Sequence, residues 1–100
     1  MKSKIQTLHF DAESTLIDFV QSRIDKLGKY YKRLENCTVT LSKIKNSRNK
    51  TSLFEITLEI PGHNIFAKDQ SENFELAADS VFEEIKKQLI RHKELISGNF

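Results

Sequence analysis

Cys37 is the single cysteine of this 100-residue chain. A disulfide within the chain is therefore excluded, and the cysteine usage fits a reducing cytoplasm. No apolar run approaches the roughly 18–20 residues that a membrane-spanning helix needs. The opening residues, Met1-Lys2-Ser3-Lys4-Ile5-Gln6-Thr7, lack the apolar stretch of a secretory signal. Glycine is scarce, and no Gly-rich phosphate loop, nucleophile elbow or Ser/His/Asp arrangement can be found. His9, His63 and His92 are scattered, with no cysteine or paired carboxylate at metal-ligand spacing. The chain is thus expected to hold no metal or cofactor, to act on no small-molecule substrate and to be no enzyme.

What is present suffices for one domain over residues 1–100. The hydrophobic share of 38% can supply one modest core, and there is no repeat or low-complexity stretch. Ile5 to Phe10 reads as a short strand. Ser14-Thr15 form a cap region ahead of a helical stripe, Leu16, Val20, Ile24, Leu27, Tyr31 and Leu34, spaced at three and four. Gly28 interrupts that stripe at a cost of about 1 kcal/mol. Val39 and Leu41 alternate with threonine and serine as a half-buried strand. Lys43 to Ser52 reads as a polar, basic hairpin loop. Phe54, Ile56, Leu58 and Ile60 alternate with Glu55, Thr57 and Glu59, a strand with one apolar and one polar face.

Pro61-Gly62-His63-Asn64 is a turn, and Ile65 to Lys68 returns as a short strand. Ser71 is read as the cap of a second helix with the stripe Phe74, Ala78, Val81, Phe82, Ile85, Leu89 and His92. The order is β-α-β-β-β-α. This predicts an α+β fold: a four-stranded sheet with both helices packed on its apolar face. The first β-α-β unit should make its strands parallel, and the rest an antiparallel meander. The chain ends soon after the last helix, which leads us to expect no further module.

The formal net charge is only +2, from 16 basic and 14 acidic residues, but the cations are sorted into patches. Arg23, Lys26, Lys29, Lys32 and Arg33 face a single Asp25 in the first helical segment. Lys43, Lys45, Arg48 and Lys50 share a loop with no acid. Lys86, Lys87, Arg91 and Lys93 close the last helix, whose start holds Glu72, Glu75, Asp79, Glu83 and Glu84. A chain with one basic side is built to touch a polyanion there. On a wheel at 100° per residue, Lys26, Lys29 and Arg33 fall within about 60° of one another, on the side away from Leu27 and Tyr31.

An ordinary solvated helix face is the competing explanation, but solvated faces usually mix signs and this one does not. The second helix is ambiguous, because acids at its start and bases at its end also complement the helix dipole. Tyr31 lies on the core stripe. Tyr30 is open between packing and stacking on bases. Cys37 reads as a small packing residue.

Several strings, in this order and spacing, carry a resemblance. They are Arg23-Ile24-Asp25-Lys26-Leu27-Gly28-Lys29-Tyr30-Tyr31, Val39-Thr40-Leu41-Ser42, Leu58-Glu59-Ile60-Pro61-Gly62 and Lys86-Lys87-Gln88-Leu89-Ile90-Arg91-His92-Lys93-Glu94. The chain resembles, over nearly its whole length, the short-form ribosome hibernation-promoting factors, also called ribosome-associated inhibitors or sigma-modulation proteins. The resemblance implies a fold similar to the double-stranded-RNA-binding domain with an extra first strand. It further implies seating on the small ribosomal subunit, in the channel used by messenger and transfer RNA. By the same resemblance Arg23, Lys26, Lys29, Arg33, Lys86, Lys87, Arg91 and Lys93 would contact ribosomal RNA phosphates. Gly28 departs from the charged residue common in relatives. The C-terminal dimerisation domain of long-form relatives is not expected, and the protein should be monomeric off the ribosome. The rival expectation is a protein–protein interaction module that modulates a transcription factor through the strand face of Glu55, Thr57 and Glu59.

Overall fold

The computed structural model describes residues 1–45 and 50–96. Its elements are β1 (Lys2–Leu8), α1 (Ser14–Tyr30), β2 (Asn36–Lys45), β3 (Lys50–Ile60), β4 (His63–Ser71) and α2 (Phe74–Ile96). The strands form one sheet in the order β1-β2-β3-β4. β1 pairs with β2 in parallel, Lys2 opposite Asn36 and Leu8 opposite Ser42. β2 with β3 and β3 with β4 are antiparallel. The expected α+β order and meander are therefore those of the molecule.

The alternation along β3 decides where the core lies. Phe54, Ile56, Leu58 and Ile60 are buried on the face that also carries Cys37, Val39 and Leu41 of β2 and Ile65 and Ala67 of β4. Val20, Ile24 and Leu27 of α1, and Phe74, Val81, Phe82, Ile85 and Leu89 of α2, close the same cluster. Phe54 of the sheet meets Phe82 of α2 with ring centroids 5.5 Å apart. Both helices therefore cover one sheet face. Gly62 turns β3 into β4 with φ of 76°, a left-handed conformation glycine adopts without strain, and Ile60 faces His63 across that turn.

Several boundaries differ from the sequence reading. α1 stops at Tyr30, and Tyr31 is already extended at φ −127° and ψ 103°. Tyr31 and Leu34 are nevertheless buried. The stripe thus continues as burial after the helix has ended, and Lys32 and Arg33 occupy a turn. Ser14 and Thr15 lie at the start of the helix, behind an N-cap at Glu13 that makes no side-chain cap. Asn73, not Ser71, caps α2: its Oδ1 accepts the Leu76 N–H at 2.9 Å. Ser71 ends β4.

Lys43 and Lys45 belong to β2 rather than to a loop, and Lys50 begins β3. The backbone pairing of the hairpin runs on to Lys45 opposite Lys50, and Ser42 and Ser52 are buried along it. Lys43 also finds partners, its Nζ 3.4 Å from Ser52 Oγ and 5.1 Å from the Phe74 ring centroid. Arg48 of that basic group lies outside the described residues.

Candidate nucleic-acid interface

α1 and α2 lie side by side on the sheet, and their outer edges enclose a groove of about 270 Å³. Arg23, Lys26 and Tyr30 reach it from one flank of α1, at spacings of three and four that straddle the buried Leu27. Phe82, Glu83 and Lys86 reach it from α2. The helices thus bring Lys26 and Lys86 to one place from distant points in the chain. Neither forms an ion pair among the described residues.

Arg23 has a different environment. It is ion-paired to Asp79 of α2, and its guanidinium stands 5.0 Å from the Phe19 ring centroid and 6.0 Å from that of Phe82. It clamps the two helices together at the groove's edge, so any phosphate it met would share it with Asp79. Lys93 places its Nζ 4.5 Å from the ring centroid of Tyr30. That cation–π contact ties the end of α2 to α1.

The remaining sequence-predicted residues are not gathered there. Lys29 is exposed on α1 and is not among the groove's residues. Arg33 is exposed in the turn after α1, so the wheel that grouped it with Lys26 and Lys29 does not reach it. Lys87 and Arg91 share a separate shallow hollow of α2 with Ile90 and Glu94. Lys43 and Lys45 border a recess of about 750 Å³ with His9 and Phe10. The cations therefore form a cluster at the groove with outliers around it, rather than one continuous face.

Phe82, Glu83 and Asp79 were not singled out for this site by sequence reasoning. The spacing of three between Glu83 and Lys86 is a signal that could have suggested a shared edge, but nothing in the sequence pairs that edge with Lys26.

Tyr31 is 5% exposed and packs in the core, whereas its neighbour Tyr30 is 37% exposed. Cys37 is buried, and burial pushes its thiol up to about 12. The Ser80 hydroxyl, with help from the Gln70 N–H, holds the Asp69 carboxyl below its usual range, tying β4 to α2. Among the described residues no three side chains are placed to hold a metal ion. No helix among them is long and apolar enough to cross a membrane.

The family profile described as Sigma 54 modulation protein / S30EA ribosomal protein matches residues 3–97. A ribosome hibernation promoting factor of Azotobacter vinelandii is 28% identical over 96 residues, covering 94% of this chain and 84% of the relative. One of Salmonella typhimurium is 27% identical over 94 residues, covering 94% and 95%. Among solved structures, a ribosomal subunit interface protein from Coxiella burnetii superposes with a TM-score of 0.81 at 15% identity, over 94% of this chain and 99% of that one. The Thermus thermophilus Protein Y N-terminal domain gives 0.78 at 20% identity, over 92% and 99%. These likenesses concern the same fold as found here. With the profile spanning every element that builds the groove, the chain belongs to the Sigma 54 modulation protein / S30EA ribosomal protein family.

Proposed function

We propose that this protein is a non-enzymatic ribosome hibernation factor. It binds the small ribosomal subunit through ribosomal RNA phosphates and occludes the sites of messenger and transfer RNA. The observation that carries the reading is the groove between α1 and α2, where Lys26 and Lys86 converge without an ion pair among the described residues. Lys and Arg at phosphates release condensed counterions, and that release supplies sequence-independent affinity. Lys29, Arg33, Lys87, Arg91 and Lys93 extend the contact outward from the groove, and Arg23 contributes while clamped to Asp79. Folded RNA is recognised by shape and backbone, which suits a small rigid domain with cations on two packed helices. The protein acts as a single domain in the cytoplasm, monomeric when off the ribosome.

The names of the relatives, ribosome hibernation promoting factors and a subunit interface protein, support this reading. The sheet's helix-free face supports a protein–protein module less well, since Glu59 is engaged by Asn36 Nδ2 at 2.6 Å.

The test is a purified translation system. Inhibition should be stoichiometric with ribosomes, compete with initiator transfer RNA and weaken as salt screens the contacts. Full inhibition at a small fraction of the ribosome concentration would indicate turnover instead. Unchanged transfer RNA binding at saturating protein would place the site outside the channel.

A further inference from the structure

We propose that the groove between α1 and α2 takes one unpaired RNA nucleotide, its base against Tyr30 and its phosphate on Lys26 and Lys86. The inference rests on the ribosomal RNA reading above and adds which part of an RNA enters the groove. The groove is not built for phosphate alone. Glu83 stands inside it, and a carboxylate repels a phosphate that sits too deep. Phe82 and Leu27 line it with apolar surface, which a phosphate gains nothing by covering. A nucleotide resolves the conflict because it separates a flat neutral base from its charged phosphate. The base covers the aromatic and apolar wall, and the phosphate remains at the cationic rim.

Four further observations point to one unpaired base. Glu83 offers an acceptor to the N–H donors of a base's Watson–Crick edge, which are free only outside a duplex. Tyr30 is 37% exposed although its neighbour Tyr31 is 5% exposed, so the core does not need it. The Lys93 ammonium at 4.5 Å from the ring centroid holds that ring in place before any ligand arrives, which lowers the ordering cost of binding. The volume of about 270 Å³ is just below the ~300 Å³ of the smallest common ligand pockets, enough for one residue of a strand and not a stacked run.

The chain has two tyrosines and no tryptophan. With Tyr31 buried, quenching of tyrosine emission by an added ligand reports on Tyr30. The probe is a short mixed-sequence RNA strand, compared with the duplex it forms with its complement, at low salt. The strand should quench the emission and the duplex should not. Tyr30→Ala should weaken strand binding by about 5- to 150-fold and leave the salt slope unchanged, because no charge is lost. Lys26→Ala should lower that slope by about one. Circular dichroism of both variants should match the unsubstituted protein, since both side chains are exposed.

If strand and duplex bind equally and Tyr30→Ala loses nothing, the nucleotide pocket is refuted. Salt-sensitive sedimentation of the unsubstituted protein with ribosomes would then leave the ribosomal reading standing. If the unsubstituted protein fails to sediment with ribosomes at low salt, that reading falls, and this inference with it.

Discussion

Ile56→Ala tests the sheet face on which everything else is mounted. Ile56 is 0% exposed near the middle of β3, one of the two inner strands, with Val39 opposite on β2 and Ala67 opposite on β4. The substitution removes three carbons, a transfer loss of about 2.4 kcal/mol at ~0.8 kcal/mol each. Both cross-strand neighbours are held in ladders, so the site cannot collapse to fill the gap. The cavity left behind brings the expected total to about 2–5 kcal/mol. That is a large part of the roughly 5–15 kcal/mol that a domain of this size commands. In urea, at an m-value of about 1–3 kcal/mol per M, a loss of about 3 kcal/mol moves the midpoint by roughly 1–3 M.

Glu55→Ala is the control. Glu55 is half-buried on the opposite face, between Thr40 and Lys68 across the strands, and its loss should cost well under about 1 kcal/mol. Far-UV circular dichroism against urea measures both. Equal shifts for the two variants would mean that the face is assigned wrongly.

Exchanging Lys26 and Lys86 together for glutamate should abolish sedimentation with ribosomes. The melting temperature should change little, because both are exposed and neither is ion-paired among the described residues. If roughly six phosphates are neutralised by the unsubstituted protein, log K against log[salt] should slope at about −5, and a flat line would remove the electrostatic basis. Cys37 should resist iodoacetamide at pH 8 until urea unfolds the chain, since its thiol is raised from 9.0 to about 12 and the thiolate is the reactive form. Between pH 9.0 and about 12 the unfolded thiol loses its proton first, so this group's contribution to stability is complete below 9.0 and is lost as pH rises. Cys37→Ala should flatten that alkaline slope. Asn73→Ala removes the side-chain oxygen that accepts the Leu76 N–H and should cost about 0.5–2 kcal/mol in thermal unfolding.

The alternation from Phe54 to Ile60 makes β3 legible because a one-sided strand repeats its apolar residues with period two. The stripe from Leu16 onward was equally clear, but its end was not. Tyr31 and Leu34 keep the apolar spacing because they stay buried while the backbone leaves the helix. Periodicity reports burial, and burial outlasts the hydrogen-bond pattern by one turn here.

The polar Lys43 and Ser52 make the hairpin β2–β3 look shorter in the sequence than it is, because strand pairing depends on backbone groups and needs no apolar side chain at its far end. Ser71 and Asn73 are both good caps within three residues, and only the helix's actual start separates them. The basic residues of the candidate interface are visible in the sequence as types. That Lys26 meets Lys86, that Arg23 is held by Asp79 and that Arg91 faces elsewhere depend on how the helices pack, which no spacing within one segment encodes.

The parallel pairing of β1 has a consequence for the order of assembly. Lys2 must find Asn36, while the β3–β4 turn joins Ile60 to His63. By loop-closure scaling the longer connection costs about 2 kcal/mol more in chain entropy. β1 also pairs with one neighbour only, and its first residues are exposed. The three-stranded meander can therefore close first with α2 laid over it. The opening strand, though first to be synthesised, docks last and is the first to detach. Its amide hydrogens should exchange through partial openings that leave the rest of the domain intact.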